Sequence, residues 1–237
     1  MTGLMMTLLL AAPPAPRDAA QVLNDLRRLN VLGTVLYVAA HPDDENTRWL
    51  ATLANEHHFR AAYLSLTRGE GGQNLIGSEL GPLLGVIRTQ ELLAARRVDG
   101  AEQYFTRARD FGYSKSVDET LRIWDHERVL ADTVFLIRTL RPDVIITRFS
   151  PEAGGTHGHH TASARIALEA FKAAADPKFH PEQQLAPWQA RRIVWNAWSP
   201  EPGLKLPPGT VQADSSLFSP LLGYSYGELA AQSRSML

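Results

Sequence analysis

Short, continuous apolar or β-branched runs recur at residues 35–39, 61–66, 143–147 and 192–197, with a weaker one at 103–105. Runs of this kind read as strands buried on both faces of a parallel sheet. Between them, apolar residues return at helical spacing over 47–57, 83–98, 118–140 and 160–174. In the 118–140 stretch the stripe is Leu121, Trp124, Val129, Val134 and Ile137, with Pro142 beyond its end, so the spacing predicts one long helix. Alternating strands and helices predict an α/β fold: a Rossmann-like, three-layer, doubly wound and mostly parallel sheet with right-handed crossovers. The expected organisation is an N-terminal segment over residues 1–30 and a single α/β domain over 31–237.

Past Trp198 the pattern changes. Pro200, Pro202, Pro207 and Pro208 with Gly203 and Gly209 read as a loop, and "YSYGELAAQSRSML" begins a final helix. No helix-ending signal follows it, which leads us to expect a chain cut short. At the other end, "MTGLMMTLLLAAPPAP" holds an apolar run of signal-peptide length followed by small residues and prolines, but no Lys or Arg precedes it. Export and a cytoplasmic location both stay open. No stretch is long and apolar enough to predict a membrane span.

Composition narrows the chemistry. The 237 residues are 44% hydrophobic and 21% charged, with a formal net charge of -1 and no block of like charge. Such a chain offers no electrostatic case for binding nucleic acid or an anionic membrane. It has no cysteine, so disulfides, thiolate zinc sites and cysteine nucleophiles are excluded, and His, Asp and Glu are left as metal ligands. Oligomeric state is not set by any of this.

In an open α/β sheet, ligands bind at the carboxyl ends of the strands, near the point where strand order reverses. Three polar clusters follow strands here: "HPDDEN" after the first, "TRGEGGQN" after the second and "RFSPEAGGTHGHH" after the run at 143–147. Across the first turn His41 and Asp44 can aim a nitrogen and a carboxylate oxygen at one ion, while Pro42 stiffens the strand end. His157 and His160 add an i, i+3 pair where a helix begins. Two histidines and one carboxylate form a known catalytic zinc arrangement that leaves a position for water. Each cluster alone also reads as a helix start, with Asp43 or Asp44 capping free N–H groups and Glu45 favouring the helix N-terminus. Arg68 and Asn74, on the glycine-rich second loop, are candidate substrate residues. His57, His58, His126 and His180 have no comparable setting.

"AAHPDDE" after the first strand and "GTHGHH" opening a later helix resemble the PIG-L/LmbE-like zinc-dependent N-deacetylases, supported by "LTRGEGG" and by the Arg-x-x-Glu pair of "RTQELLAA". The resemblance covers residues 35–170 and continues weakly beyond. It implies that His41, Asp44 and His160 bind Zn²⁺ or another divalent metal such as Fe²⁺. Asp43 would then be the general base toward the activated water, and His157 would stabilise the oxyanion. Arg88 would help bind substrate, against the alternative of a surface ion pair with Glu91. The implied reaction removes an acetyl group from an N-acetylglucosamine-type amino sugar or conjugate, so the implied partner is a small amino sugar. His159 is the second choice for the ligand at His160. Some members carry Pro and Asp where Gly158 and His159 stand, and a tyrosine where Gly154, Gly155 and Thr156 stand; Tyr104 or Tyr113 is the candidate replacement. The "GEGGQN" loop and the chain's ending resemble a longer-chain subgroup. A metal-free carbohydrate-binding module and a nucleotide-binding Rossmann-like module are the alternatives. Against the second, the first strand lacks a Gly-x-Gly-x-x-Gly turn, and its carboxylates would repel a pyrophosphate.

Overall fold

The computed structural model describes residues 18–152, 157–197 and 208–237. Five strands, β1 (Thr34–Ala39), β2 (Arg60–Ser65), β3 (Glu102–Phe105), β4 (Val144–Thr147) and β5 (Arg192–Trp195), form one sheet in the order β3-β2-β1-β4-β5. Every pairing in it is parallel. The chain runs outward from β1 through β2 to β3, then returns to the other side of β1 for β4 and β5. The reversal between β1 and β4 is where such sheets bind ligands.

All six residues of β1 are buried, and their alternation divides them between two cores. Leu36 and Val38 face a cluster with Trp124, Val134, Ile137 and Ile166, from helices α4 (Val117–Trp124), α5 (His126–Leu140) and α6 (Gly158–Ala173). Val35, Tyr37 and Ala39 face Leu50, Leu53 and Leu92, from α2 (Thr47–Asn55) and α3 (Pro82–Asp99). Burial of each Val or Leu in such a core stabilises the fold by roughly 1.5–3 kcal/mol. Helices cover both faces, giving the three-layer, doubly wound α/β fold the alternation predicts.

The long helix expected over 118–140 is two. Asp125 adopts φ 61° and ψ 80°, ending α4 and opening α5 at a sharp corner. The apolar stripe continues through the corner because both helices pack on the same face of the sheet. The hydrophobic pattern also leaves out α1 (Ala19–Arg28), whose start is a capping box between Asp18 and Gln21. A short antiparallel pair, β6 (Phe218–Ser219) and β7 (Tyr224–Ser225), leads into the expected final helix α7 (Tyr226–Arg234). That helix packs across α2 and α3. No described helix is long and apolar enough to cross a membrane. The N-terminal apolar run and most of the proline-rich stretch lie outside the described residues.

Glu45 is not the cap-like residue expected from its position. The cap of α2 is Asn46, whose side chain accepts the Trp49 N–H at 3.1 Å. Glu45 is 4% exposed and turned inward to Arg96, 3.2 Å from its Nη2. Arg96 also donates to Asp99 Oδ2 at 2.7 and 3.0 Å, and Ser233 of α7 donates to the same oxygen at 2.6 Å. One guanidinium thus neutralises two buried carboxylates beneath the first loop. Arg96→Ala takes the nearest cation from both, leaving Glu45 with Arg234 at 3.8 Å, and is expected to lower unfolding free energy by about 3–5 kcal/mol in a urea melt at neutral pH. Burial already raises the Glu45 carboxyl. The Glu45 part of that penalty is therefore present above the raised value and fades as pH falls through it to the unfolded glutamate value of about 4.3.

Candidate metal centre

The first loop is held from several sides. Its turn closes through the Asp44 N–H to the His41 carbonyl at 3.3 Å, and Asp44 Oδ2 accepts the His41 N–H at 2.7 Å. The Tyr63 hydroxyl from β2 donates to the His41 carbonyl. Arg148, just past β4, donates to the Asp44 carbonyl at 3.0 Å, and Arg234 of α7 donates to the Asp43 carbonyl at 2.8 Å. Side chains from three separate parts of the chain thus fix the backbone at His41, Asp43 and Asp44. A turn pinned this way presents its carboxylates without paying much ordering entropy on binding.

The second half of the centre starts at α6. A Cβ on Gly158 would come within 2.5 Å of the Ser116 carbonyl oxygen, so only glycine allows this close approach of the helix to the preceding loop. Gly158 N–H donates to the Ser114 carbonyl at 2.7 Å. His157 is the helix cap: its Nδ1 accepts the His159 N–H at 3.1 Å. A neutral ring accepting at Nδ1 carries its proton on Nε2. Successive helical positions diverge by about 100°, and here the two histidines part company. The His160 ring stacks on Phe149 at 3.8 Å and reaches the cavity, whereas His159 is 0% exposed and turns into the core against Phe111 and Trp124.

His41, Asp44 and His160 converge, with one ligand atom from each within 4.8 Å of the others. Asp44 lies between the two rings, Oδ2 3.1 Å from His41 Nδ1 and Oδ1 3.4 Å from His160 Nε2. Burial pushes the Asp44 carboxyl up, but His160 and His41 outweigh it and hold it well below the usual carboxylate range. Burial likewise works against a charge on His41, yet the Asp44 hydrogen bond and charge raise its pKa overall. Two imidazoles and an ionised carboxylate on a cavity wall are a donor set suited to a divalent ion of the zinc or iron type. A second grouping, His41 with His157 and His159, also falls within 4.8 Å. It fits an ion less well. The 2.9 Å between His41 Nε2 and His159 Nδ1 is a hydrogen-bond length, and His159 is not among the residues lining the cavity that holds His41, Asp44 and His160. Burial holds its pKa down to about 3, so it is neutral.

The cavity, about 430 Å³, is lined by His41, Asp43, Asp44, His157 and His160 together with Gly69, Gly72, Gln73, Leu84, Arg88 and Asp110. Arg88 lies 3.8 Å from Asp43 Oδ1 and 3.5 Å from Glu91, so it reaches the cavity and also makes the helical ion pair. Arg68 and Asn74 are not brought to it. Arg68 donates to Thr89 at 3.0 Å with its guanidinium over the Phe105 ring, and Asn74 closes its own turn onto Ile76, Gly77 and Glu79. Tyr104 is tied to Glu102, whereas the exposed ring of Tyr113 stands edge-on to His157 at 4.8 Å. Asp110 and Gln73 are the polar lining residues not singled out from the sequence. Asp110 follows β3, so the rule that found the other loops would have found it had that short strand been weighted equally.

The sequence profile of the family described as PIG-L: GlcNAc-PI de-N-acetylase matches residues 36–171. A 1D-myo-inositol 2-acetamido-2-deoxy-alpha-D-glucopyranoside deacetylase from Geodermatophilus obscurus is 33% identical over 178 residues, covering 68% of this chain and 60% of the relative. A like-named protein from Catenulispora acidiphila is 34% identical, covering 78% of this chain and 58% of the relative. The chain thus spans about 60% of the length of these relatives. Among solved structures, N,N'-diacetylchitobiose deacetylase from Pyrococcus horikoshii aligns with a TM-score of 0.56 at 19% identity, over 76% of this chain and 70% of that one. A 4-carboxy-2-hydroxymuconate hydratase from Pseudomonas putida aligns with a TM-score of 0.50 at 19% identity, over 66% and 62%. These two show the fold, and a fold shared with a hydratase leaves the chemistry to the side chains.

Proposed function

This chain belongs to the PIG-L family, and on that premise we propose that it is a metal-dependent hydrolase removing the N-acetyl group from an N-acetylglucosamine-type amino sugar or conjugate. The observation that carries the reading is the meeting of His41, Asp44 and His160 on the wall of a cavity that also holds Asp43 and His157. Those three residues would hold the ion, Zn²⁺ or Fe²⁺. Once bound, a divalent ion of this kind polarises an amide carbonyl and brings the pKa of water to about 7.

The chain's own side chains supply the rest. Asp43 takes the proton of the attacking water, being next in sequence to a ligand but aimed into the open part of the cavity. The Nε2–H of His157, set by the helix cap at Nδ1, donates to the oxygen that becomes negative in the tetrahedral intermediate. The proton that Asp43 has taken can then pass to the departing amine, which leaves as the C–N bond breaks. Arg88 and Asp110 offer a donor and an acceptor for sugar hydroxyls, and the cavity volume suits one amino sugar.

The purified chain supplied with Zn²⁺ or Fe²⁺ is expected to release acetate from at least one member of a panel of N-acetylglucosamine conjugates, and a chelator should abolish the release. Sugar binding without acetate release, with metal present, would overturn the hydrolase reading.

A further inference from the structure

His159 is buried, polar and unused by the chemistry above. We propose that it is a positioning residue for the metal ligand His41: its Nδ1 accepts the Nε2–H of His41, which fixes the tautomer of that ring and leaves Nδ1 bare for the ion. The proposal rests on the metal-centre reading and deepens it.

A neutral imidazole has one N–H and one lone pair, on opposite sides of the ring. The His41 nitrogen beside Asp44 is Nδ1, at 3.1 Å, and only its lone pair can join a cation there. The ring proton must then be on Nε2, which lies 2.9 Å from His159 Nδ1. His159 has to receive it, so its own proton belongs on Nε2. That atom is buried with no hydrogen-bond partner. The Phe111 ring stands edge-on to His159, interplanar 68° with centroids 4.4 Å apart, and Trp124 lies at 4.8 Å. The proton is placed on His159 Nε2 by the demand at Nδ1, where the His41 N–H has to be accepted. The Asp110 carboxylate, 3.7 Å from His159 Nδ1, is too distant to draw a proton onto that nitrogen. With an ion in place of a proton between His41 Nδ1 and Asp44, the bond therefore runs from His41 to His159.

Ligating histidines usually donate their second N–H to a carboxylate, a carbonyl or water. A neutral imidazole in that place orients the ligand without adding negative charge, so more of the ion's field is left for the substrate carbonyl.

The test compares His159→Phe, which keeps ring bulk and removes the acceptor, with His159→Asn, whose Oδ1 can take the position of Nδ1. Metal affinity is measured by chelator competition with Zn²⁺, and ligation by the visible spectrum of the Co²⁺ form. His159→Phe is expected to bind Zn²⁺ about 10–100-fold more weakly, His159→Asn to keep most of the affinity, and both to retain the wild-type Co²⁺ band pattern. A folded His159→Phe with wild-type affinity overturns the proposal and leaves the metal centre standing. Changed Co²⁺ bands in His159→Asn overturn it by making His159 a direct ligand. A wild-type chain that binds no metal overturns the metal centre and this proposal together.

Discussion

Asp43→Asn is expected to lower kcat for acetate release by about 10²–10⁴-fold while the bound metal stays at the wild-type level. The asymmetry follows from the turn. Asp44 faces inward, shared between His41 and His160, whereas the Asp43 side chain is 54% exposed and lines the cavity with Arg88 nearby. The asparagine keeps the shape and the backbone bond from Arg234 to the Asp43 carbonyl, so the loss isolates the proton acceptor. Kinetics with metal analysis on the same sample decide it. An active Asp43→Asn enzyme would remove Asp43 from the mechanism.

Asp44→Ala is expected to abolish stoichiometric metal binding, an effect beyond the 10–100-fold typical of residues that only support a ligand. It removes the sole carboxylate of the donor set and also the acceptor of the His41 N–H. In thermal melts, Zn²⁺ at about 100 times its dissociation constant should stabilise the wild type by roughly 2.7 kcal/mol and leave Asp44→Ala unmoved. Equal stabilisation of both proteins would place the ion elsewhere.

The two halves of the centre were legible because each is local. "HPDDE" interrupts a buried strand with a stiff polar turn, and "HGHH" opens a helix, so both carry their chemistry in consecutive residues. Asp110 was harder to see because β3 has four half-buried residues and a correspondingly faint pattern. Arg68 and Asn74 stood in the right loop, but their partners Thr89, Phe105 and Glu79 are supplied by the folded chain. The corner at Asp125 left no mark on the apolar stripe, since a positive φ changes direction without changing which side is buried.

By itself the sequence determined the strand order along the chain, the two-faced burial of β1 and the residue types that meet at the switch point, because periodicity and turn chemistry are properties of neighbouring residues. Only the tertiary structure decided which way three polar side chains turn. Glu45 goes inward because Arg96 of α3 waits there. His160 faces the cavity and His159 the core because Gly158 lets α6 approach the Ser114–Ser116 backbone closely and so sets the helix rotation. Direction at a helix start depends on what the helix packs against, and those contacts come from residues distant in the chain.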